Sequence, residues 1–423
     1  MKRVFGFLVL ALLLAAAAVW VLGVGFGDDV ADSPVSGPPD AQRIARGAYL
    51  ARAGNCAACH TQRGGAPYAG GRAIDTPFGT IFSSNLTPDT ETGLGGWSAG
   101  NFWRALHHGR SRDGRLLYPA FPYNYYTQVT REDSDALFDY LRSLPAVKQP
   151  NRAHDLRWPY DTQAALAAWR ALYFRPGEHQ DDAAHDSQWN RGAYLVRGLG
   201  HCGACHTARN ALGASRDLMD LSGGMIPMQN WYAPSLTSPT EAGVQDWSVD
   251  EIAQMLRTGT SPRGSVLGPM GEVVLSSTQY LQPADLQAMA VFLKSLPSTP
   301  TDTDPREVPR AYSTVTERGA KLYGTHCAQC HGERGEGVPH AYPRLADNRA
   351  VTLPVTANLV QIVLYGGFAP ATQGNPRPFG MPPFAMLMND GDVAAVLTYI
   401  RGTWGNKAAP VSEFEVSSQR STQ

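Results

Sequence analysis

Six cysteines in this chain of 423 residues fall into three pairs with one shared spacing. In every pair two residues separate the cysteines, and a histidine follows the second cysteine directly. The motifs are Cys56, Cys59 and His60; Cys202, Cys205 and His206; and Cys327, Cys330 and His331. Such spacing lets two thiols bond to the vinyl groups at one edge of a porphyrin while the histidine reaches the iron. The sequence therefore predicts three covalently bound haem c groups, each containing iron.

Two other uses of paired cysteines fit this sequence less well. A thioredoxin-like pair needs a βαβ context, which the surrounding sequence does not have. A zinc site needs four ligands, and each motif supplies only three. No cysteine lies outside the motifs, so none is left for a disulfide or a separate reactive thiol.

The opposite face of each iron either takes a second ligand or stays open, and methionine is a usual ligand in cytochromes c. Met381 in PRPFGMPPF is the candidate for the third haem, and Met270 in GSVLGPMGEVV is the candidate for the second. The weaker candidates for the second haem are Met219, Met225 and Met228. Met386 and Met388 follow Met381 at helical spacing, which predicts that they lie in the core.

The first motif has no methionine near it, because none occurs between Met1 and Met219. Phe121, in LLYPAFPYNYY, stands where the repeat would place the ligand. Three options follow for this haem: a histidine ligand from His107 or His108, an open position, or a ligand from elsewhere. The other interpretation of these two histidines is a helix cap or a contact with a haem propionate.

The elements that position these motifs recur three times along the chain. An Arg-Gly followed by apolar residues starts at Arg46, Arg191 and Arg318 and predicts a helix of about three turns that ends at the cysteine pair. Each repeat closes on a segment with apolar residues three and four apart, as in DALFDYLRSLP, ADLQAMAVFLKSLP and DVAAVLTYIRGTW. The sequence predicts a mostly α fold of three tandem cytochrome c-type domains behind an N-terminal membrane-spanning helix.

That N-terminal helix is predicted from Lys2 and Arg3, which precede an uncharged apolar run from Val4 to Phe26. The run is long enough to cross a bilayer of about 30 Å, and the preceding positive charge places the rest of the chain outside the cytoplasm. A cleaved signal peptide is the alternative, since Ala15 to Ala18 offer small residues to a peptidase.

The domain divisions follow from these segments and from the Pro-, Gly- and Asp-rich stretches between them. They are a signal anchor or transmembrane helix at 1–27, a linker at 28–40, cytochrome c domains at 41–145, 188–297 and 309–405, a connecting segment at 146–187, a second linker at 298–308, and a frayed polar tail at 406–423. The connecting segment contains AALAAWRALYF, which predicts a short helix packed on the cytochrome body. The formal net charge of −1 gives no sign of a nucleic-acid partner.

With these motifs the chain resembles the triheme cytochrome c subunits of membrane-bound bacterial dehydrogenases, over nearly its whole length after the apolar run. The matching segments are GNCAACHT, TPFGTIFSSNLTPDTETGLGGWS, LLYPAFPY, HCGACHT, GPMGEVVLSSTQYL and FGMPPF. The resemblance implies His60, His206 and His331 as proximal ligands and Met270 and Met381 as distal ligands. Most of the family has PAMPY where this chain has Phe121.

The resemblance also implies partners and a location. The catalytic dehydrogenase subunit would be a quinoprotein, a flavoprotein or a molybdenum hydroxylase, and the phenylalanine form looks more like partners of molybdenum hydroxylases. Electrons would pass to ubiquinone or a terminal oxidase, on the periplasmic side of the bacterial inner membrane.

The sequence is compatible with two functions. An electron-transfer subunit that is not itself an enzyme is favoured, because the chain has no dinucleotide fingerprint, nucleophile elbow or P-loop. The alternative is a multi-haem, peroxidase-like enzyme that uses an open first haem. Phe121 argues against it, because an inert ring stands where a peroxidase needs a polar acid–base group.

Overall fold

The computed structural model describes residues 40–299 except Arg216, residues 311–420 except His340, and scattered positions among the first 23. Internal contacts divide the chain into two compact units. The first unit comprises Met1–Asp186, Ala193–Ala204 and Arg209–Met219. The second comprises Ser187–Gly192, Cys205–Ala208 and Asp220–Gln423.

The first repeat and the connecting segment contain six helices and a small antiparallel sheet among the described residues. The helices are α1 (Ala41–Ala53), α2 (Cys56–His60), α3 (Ala99–His108), α4 (Tyr123–Tyr126), α5 (Arg131–Ser143) and α6 (Gln163–Tyr173), and the strands are β1 (Ala73–Thr76), β2 (Gly79–Phe82) and β3 (Asp155–Leu156). Strand β2 lies between the other two, with Ile81 opposite Ile74 and Gly79 opposite Leu156. Helix α6 confirms the predicted helix of the connecting segment, and its Leu166 and Ala167 pack against Leu116.

The second and third repeats also begin with a helix before the cysteine pair and combine further helices with short strands. The second contains α7 (Ser187–Tyr194), a π-helical turn (Leu195–Leu199), α8 (Gly203–His206), β4 (Gly224–Ile226), β5 (Trp231–Ala233), α9 (Val249–Thr258), β6 (Thr260–Ser261), β7 (Gly264–Ser265), α10 (Pro269–Ser276), a 3₁₀ turn (Thr278–Tyr280) and α11 (Pro283–Ser295). The third contains α12 (Ser313–His326), α13 (Ala328–His331), α14 (Arg349–Thr352), α15 (Ala357–Tyr365), β8 (Gly367–Phe368), β9 (Gly380–Met381), α16 (Asp390–Gly402) and α17 (Glu413–Arg420). The helices predicted before the cysteine pairs and at the end of each repeat are therefore confirmed.

The glycine of each Arg-Gly is the point where the first and last helices of a repeat cross. A Cβ on Gly47, Gly192 or Gly319 would overlap the backbone carbonyl of Ala136, Ala288 or Ala395, respectively. The two backbones come this close only because glycine has no side chain. The helix crossing therefore depends on this residue type in all three repeats.

The arginine of each Arg-Gly forms an ion pair with the third residue of the closing helix. Arg46 contacts Asp133 at 2.6 Å, Arg191 contacts Asp285 at 2.7 Å, and Arg318 contacts Asp392 at 2.7 Å. A carboxylate in the first turn of a helix is also favoured by the helix dipole. The repeated Arg-Gly thus joins the two helices by one close backbone contact and one ion pair.

Two alanine substitutions in α12 test the role of the crossing glycine. Gly319→Ala should lower the free energy of unfolding by about 1–3 kcal/mol, because the new methyl group meets the α16 backbone. Gly324→Ala in the same helix should raise it by about 0.5–1 kcal/mol, because a Cβ there meets no atom within 4 Å and alanine favours helix. Calorimetric unfolding of the full chain measures both. If both substitutions changed the free energy of unfolding equally, the role of Gly319 in the helix crossing would be contradicted.

The predicted fold class needs one correction, which concerns the N-terminal membrane-spanning helix. No helix among the described residues is long and apolar enough to cross a membrane. The longest of them, α12, has 14 residues and so extends about 21 Å, against a hydrocarbon thickness of about 30 Å. The prediction of a spanning helix is therefore wrong for the part of the chain that the structure describes, and much of the run from Val4 to Phe26 lies outside it.

The polar tail is a second correction. Instead of fraying, it forms helix α17, whose Val416 is buried in the core of the third repeat with Val411. Arg420 secures the end of this helix by donating to Asp390 at 2.7 Å and to the Met388 carbonyl at 3.0 Å. The tail is mostly polar in composition, but its two valines pack inward, and this packing was not expected from the sequence. The predicted linkers at 28–40 and 298–308 lie almost wholly outside the described residues.

Candidate functional site

Each motif histidine lies at the end of a short helix and is held by a backbone carbonyl. The Nδ1 atoms of His60, His206 and His331 lie 2.8, 2.7 and 2.9 Å from carbonyl oxygens of Ser84, Pro234 and Pro343, respectively. A carbonyl only accepts, so Nδ1 carries the proton and donates it. Nε2 is then the nitrogen with a lone pair, which is how metal-bound histidines are usually oriented.

Burial is the main influence on the pKa of the motif side chains. Burial lowers the pKa of all three histidines, which keeps the imidazoles neutral as an iron ligand requires. Burial, followed by the neighbouring Cys59, raises the pKa of Cys56 to about 12. Burial, followed by Cys330, raises the pKa of Cys327 to about 11.

The arrangement of the motif side chains points the same way. All six cysteines are thiols in the structure, not disulfides. Within the described residues, no three His, Cys, Asp or Glu side chains converge on a point where a metal ion would bind. The residues present fit covalent attachment of haem through sulfur and iron ligation through histidine.

The candidate methionine ligands lie on separate elements of their repeats. Met270 is the second residue of α10 and is half-buried. Met381 lies in β9 opposite Gly367 and packs, partly buried, against the core of the third repeat. Met388 is only 3 % exposed, which confirms the prediction of a core position, but Met386 is 96 % exposed, so that prediction is wrong for Met386. Ligation by Met270 and Met381 remains a prediction.

Phe121 is linked to the first motif through an aromatic neighbour. Its ring lies 5.4 Å from the ring of Tyr126. Burial, followed by the nearby Cys56 and Cys59, raises the pKa of Tyr126, so this tyrosine lies within electrostatic reach of both thiols. Phe121 is thus one side chain away from the attachment cysteines.

The two histidines considered as ligands of the first haem end helix α3 in an apolar and cationic environment. The His107 ring stacks on Trp103 at 4.3 Å, and burial lowers its pKa to about 4. Burial also lowers the pKa of His108 to about 4, followed by the effects of His107 and Arg170. Both imidazoles are therefore neutral. The described contacts do not decide whether the first haem would take one of these histidines, an open position or a distant ligand.

Sequence reasoning missed two residues beside the motifs, Tyr126 and His201. Tyr126 is 7 % exposed, and His201 directly precedes the first cysteine of the second motif. Their rings meet edge to face, with centroids 5.6 Å apart. The only signal in the sequence was the histidine before Cys202, a position that His326 also occupies before Cys327.

Comparison with known proteins gives matches over nearly the whole chain. The cytochrome c family model matches residues 44–145 and 316–404, which contain the first and third motifs. An alcohol dehydrogenase (quinone) cytochrome c subunit from Gluconacetobacter polyoxogenes is 38% identical over 411 residues, covering 93% of this chain and 88% of the relative. A gluconate 2-dehydrogenase cytochrome c subunit from Pantoea cypripedii is 40% identical over 394 residues, covering 89% of each.

A third relative is longer than this chain. It is a nicotinate dehydrogenase subunit from Pseudomonas putida, 41% identical over 373 residues, which is 87% of this chain and 31% of the relative. The similarity therefore covers most of this chain but only one part of that protein.

Proposed function

The chain belongs to the cytochrome c subunits of dehydrogenases, and we propose from this that it carries three haem c groups that pass electrons from a catalytic dehydrogenase subunit to a respiratory acceptor. The family consists of electron-transfer subunits rather than catalytic ones, and its members bind haem c covalently. The proposal adds three features to this family role: a count of three haems, a respiratory acceptor and a class of catalytic partner.

The observation that carries the proposal is the repeated histidine geometry. In all three motifs Nδ1 donates to a backbone carbonyl, so Nε2 is held toward the side where iron would bind. The ion pair and the glycine crossing of the flanking helices also recur in all three repeats. The second repeat, which the family model does not match, thus has the same construction as the other two.

When bound, a c-type haem supplies a one-electron redox centre whose potential depends on its axial ligands and burial. The chain's own residues hold it: the cysteine pairs would attach it, and the histidines would ligate the iron. The partner oxidises its substrate by two electrons, which this chain would accept singly. Ubiquinone or a terminal oxidase on the periplasmic side is the proposed acceptor.

We assign the partner to the molybdenum hydroxylases that act on N-heterocycles or aldehydes. Two observations support this choice over a quinoprotein or flavoprotein. The chain has Phe121 in place of the methionine found in most of the family, and it is 41% identical to a nicotinate dehydrogenase subunit over 87% of its length.

Purification from the native host under mild conditions, without overexpression, tests the proposed function. The expected result is a complex with a second polypeptide that contains molybdopterin and reduces the haems when its substrate is added. A flavoprotein or quinoprotein partner would refute the assigned class but retain electron transfer. If the isolated chain turned over peroxide and its haems were not reduced by any dehydrogenase, electron transfer itself would be refuted.

A further inference from the structure

The carbonyl of Gly54, two residues before Cys56, is a meeting point for side chains from two other segments. The Tyr126 hydroxyl donates to this oxygen at 3.2 Å. Burial lowers the pKa of His201, and its own backbone and that of Gly54 oppose this shift. The Gly54 backbone thus meets a tyrosine from helix α4 and the histidine that precedes Cys202.

These contacts lie inside a single compact unit, which contains Met1–Asp186 together with Ala193–Ala204. The Tyr126 and His201 rings pack edge to face at 5.6 Å, and Tyr126 is 7 % exposed. A Cβ built on Gly54 would lie 3.3 Å from Leu199 and 3.4 Å from the Cys56 sulfur. The first attachment loop therefore packs directly against the segment that leads into the second.

The backbone has uncommon conformations on both sides of the contact between Gly54 and His201. Asn55 and His201, each the residue before the first cysteine of its motif, have positive φ angles of 50° and 35°. Such values are uncommon outside glycine and are kept only where the surroundings hold them. The π-helical turn Leu195–Leu199 precedes His201, with the Gly200 N–H donating to the Leu195 carbonyl at 2.7 Å. Turns of this type occur often at functional sites.

We infer that Gly54, Tyr126 and His201 form a junction that holds Cys56 of the first motif close to Cys202 of the second and would carry electrons between the haems attached there. The inference rests on the proposed function, since it presumes haem at both motifs. The connection from Cys56 to Cys202 runs along the chain to Gly54, across the contact between the Gly54 backbone and His201, and along one peptide bond. The cysteines would hold the haems, which would supply one-electron redox centres; passing one electron from a reduced haem to an oxidised one would need no proton or further reactant. Tyr126 and His201 are positioning residues in this scheme.

The test compares two small changes at the junction with a matched change nearby. Tyr126→Phe removes only the hydroxyl that donates to Gly54, and His201→Leu removes the imidazole that packs on the Tyr126 ring. Tyr68→Phe is the control, because Tyr68 is also buried and also lies within electrostatic reach of Cys56, but its ring contacts Tyr140. Haem content is measured for every variant before any rate.

The readout is the rate of electron exchange between the haems after rapid one-electron reduction of the purified chain. The first haem is told apart from the other two by its spectrum, since Met270 and Met381 are candidates only for the second and third haems. The Tyr126→Phe/His201→Leu double variant should slow exchange at least tenfold with full haem content, and the Tyr68→Phe control should not. An unchanged rate in the double variant overturns the junction and leaves the proposed function intact.

If His201→Leu lowers haem content, Tyr126→Phe alone decides the question. A twofold or larger decrease in the exchange rate supports the junction, and an unchanged rate overturns it. Failure of any dehydrogenase to reduce the haems of the unaltered protein would instead refute the proposed function.

Discussion

Replacing Cys327 and Cys330 together by alanine is expected to leave a protein with two haems instead of three. The third motif has its own attachment helix and its own core, which includes Tyr323 and Leu364. Without both thiols no covalent attachment can form there, while the other two motifs keep all their residues. Haem absorbance and iron content, each divided by protein concentration, measure the ratio.

The same pair of substitutions at Cys56 and Cys59, or at Cys202 and Cys205, is the matched control for this experiment. Each should also reduce the ratio from three to two, because the three motifs have equivalent spacing and histidine contacts. The predicted count of three haems would be wrong if the unaltered protein contained only two. If the third-motif variant does not fold, single Cys330→Ala still reports through a haem attached by one thioether, which changes the absorption spectrum.

Phe121→Met is expected to raise the reduction potential of the first haem by an amount on the order of 100 mV. Axial ligands set haem potentials over a range of about 0.8 V, and methionine shifts them upward. Phe121 lies 5.4 Å from Tyr126, which itself is close to Cys56 and Cys59, so a side chain at this position is near the first haem site. Potentiometric titration measures the potential, and a sulfur-to-iron charge-transfer band in the spectrum reports the new bond.

Phe121→Leu is the control, because leucine is apolar like methionine but has no sulfur. It should leave the potential of the first haem nearly unchanged and should produce no charge-transfer band. The idea that Phe121 occupies the ligand position fails if the methionine and leucine variants have the same potential and the same spectrum. The reverse changes, Met270→Leu and Met381→Leu, should lower the potentials of the second and third haems.

Some of the fold could be predicted from the sequence because the signals are local. The spacing of each cysteine pair and its histidine is fixed by the reach of two thiols and one ring along a single helical turn. Apolar residues three and four apart identified the closing helices, which the structure has at Arg131–Ser143, Pro283–Ser295 and Asp390–Gly402. The repeated Arg-Gly was visible as a pattern, although its partners were not.

Two predictions were wrong because they were made from composition or spacing alone. The tail was expected to fray because it is polar, but buried Val416 and the hydrogen bonds of Arg420 keep it helical. Met386 and Met388 had the same predicted position, yet one is exposed and the other buried, because the segment turns before helix α16 begins. Residues two positions apart share a face in a strand but not in a helix, so only packing shows which of the two turns inward.

The sequence by itself determined that three Cys-X-X-Cys-His motifs are present, that each follows a helix, and that the first has no methionine of its own. Only the tertiary structure brought Gly54 together with Tyr126 and His201, which lie 72 and 147 positions further along the chain. It also showed that each motif histidine donates to a carbonyl, and that the glycine before each motif allows two helices to cross. The reason is physical: spacing within a motif is set by covalent geometry, whereas contacts between distant segments depend on how the helices that carry them pack.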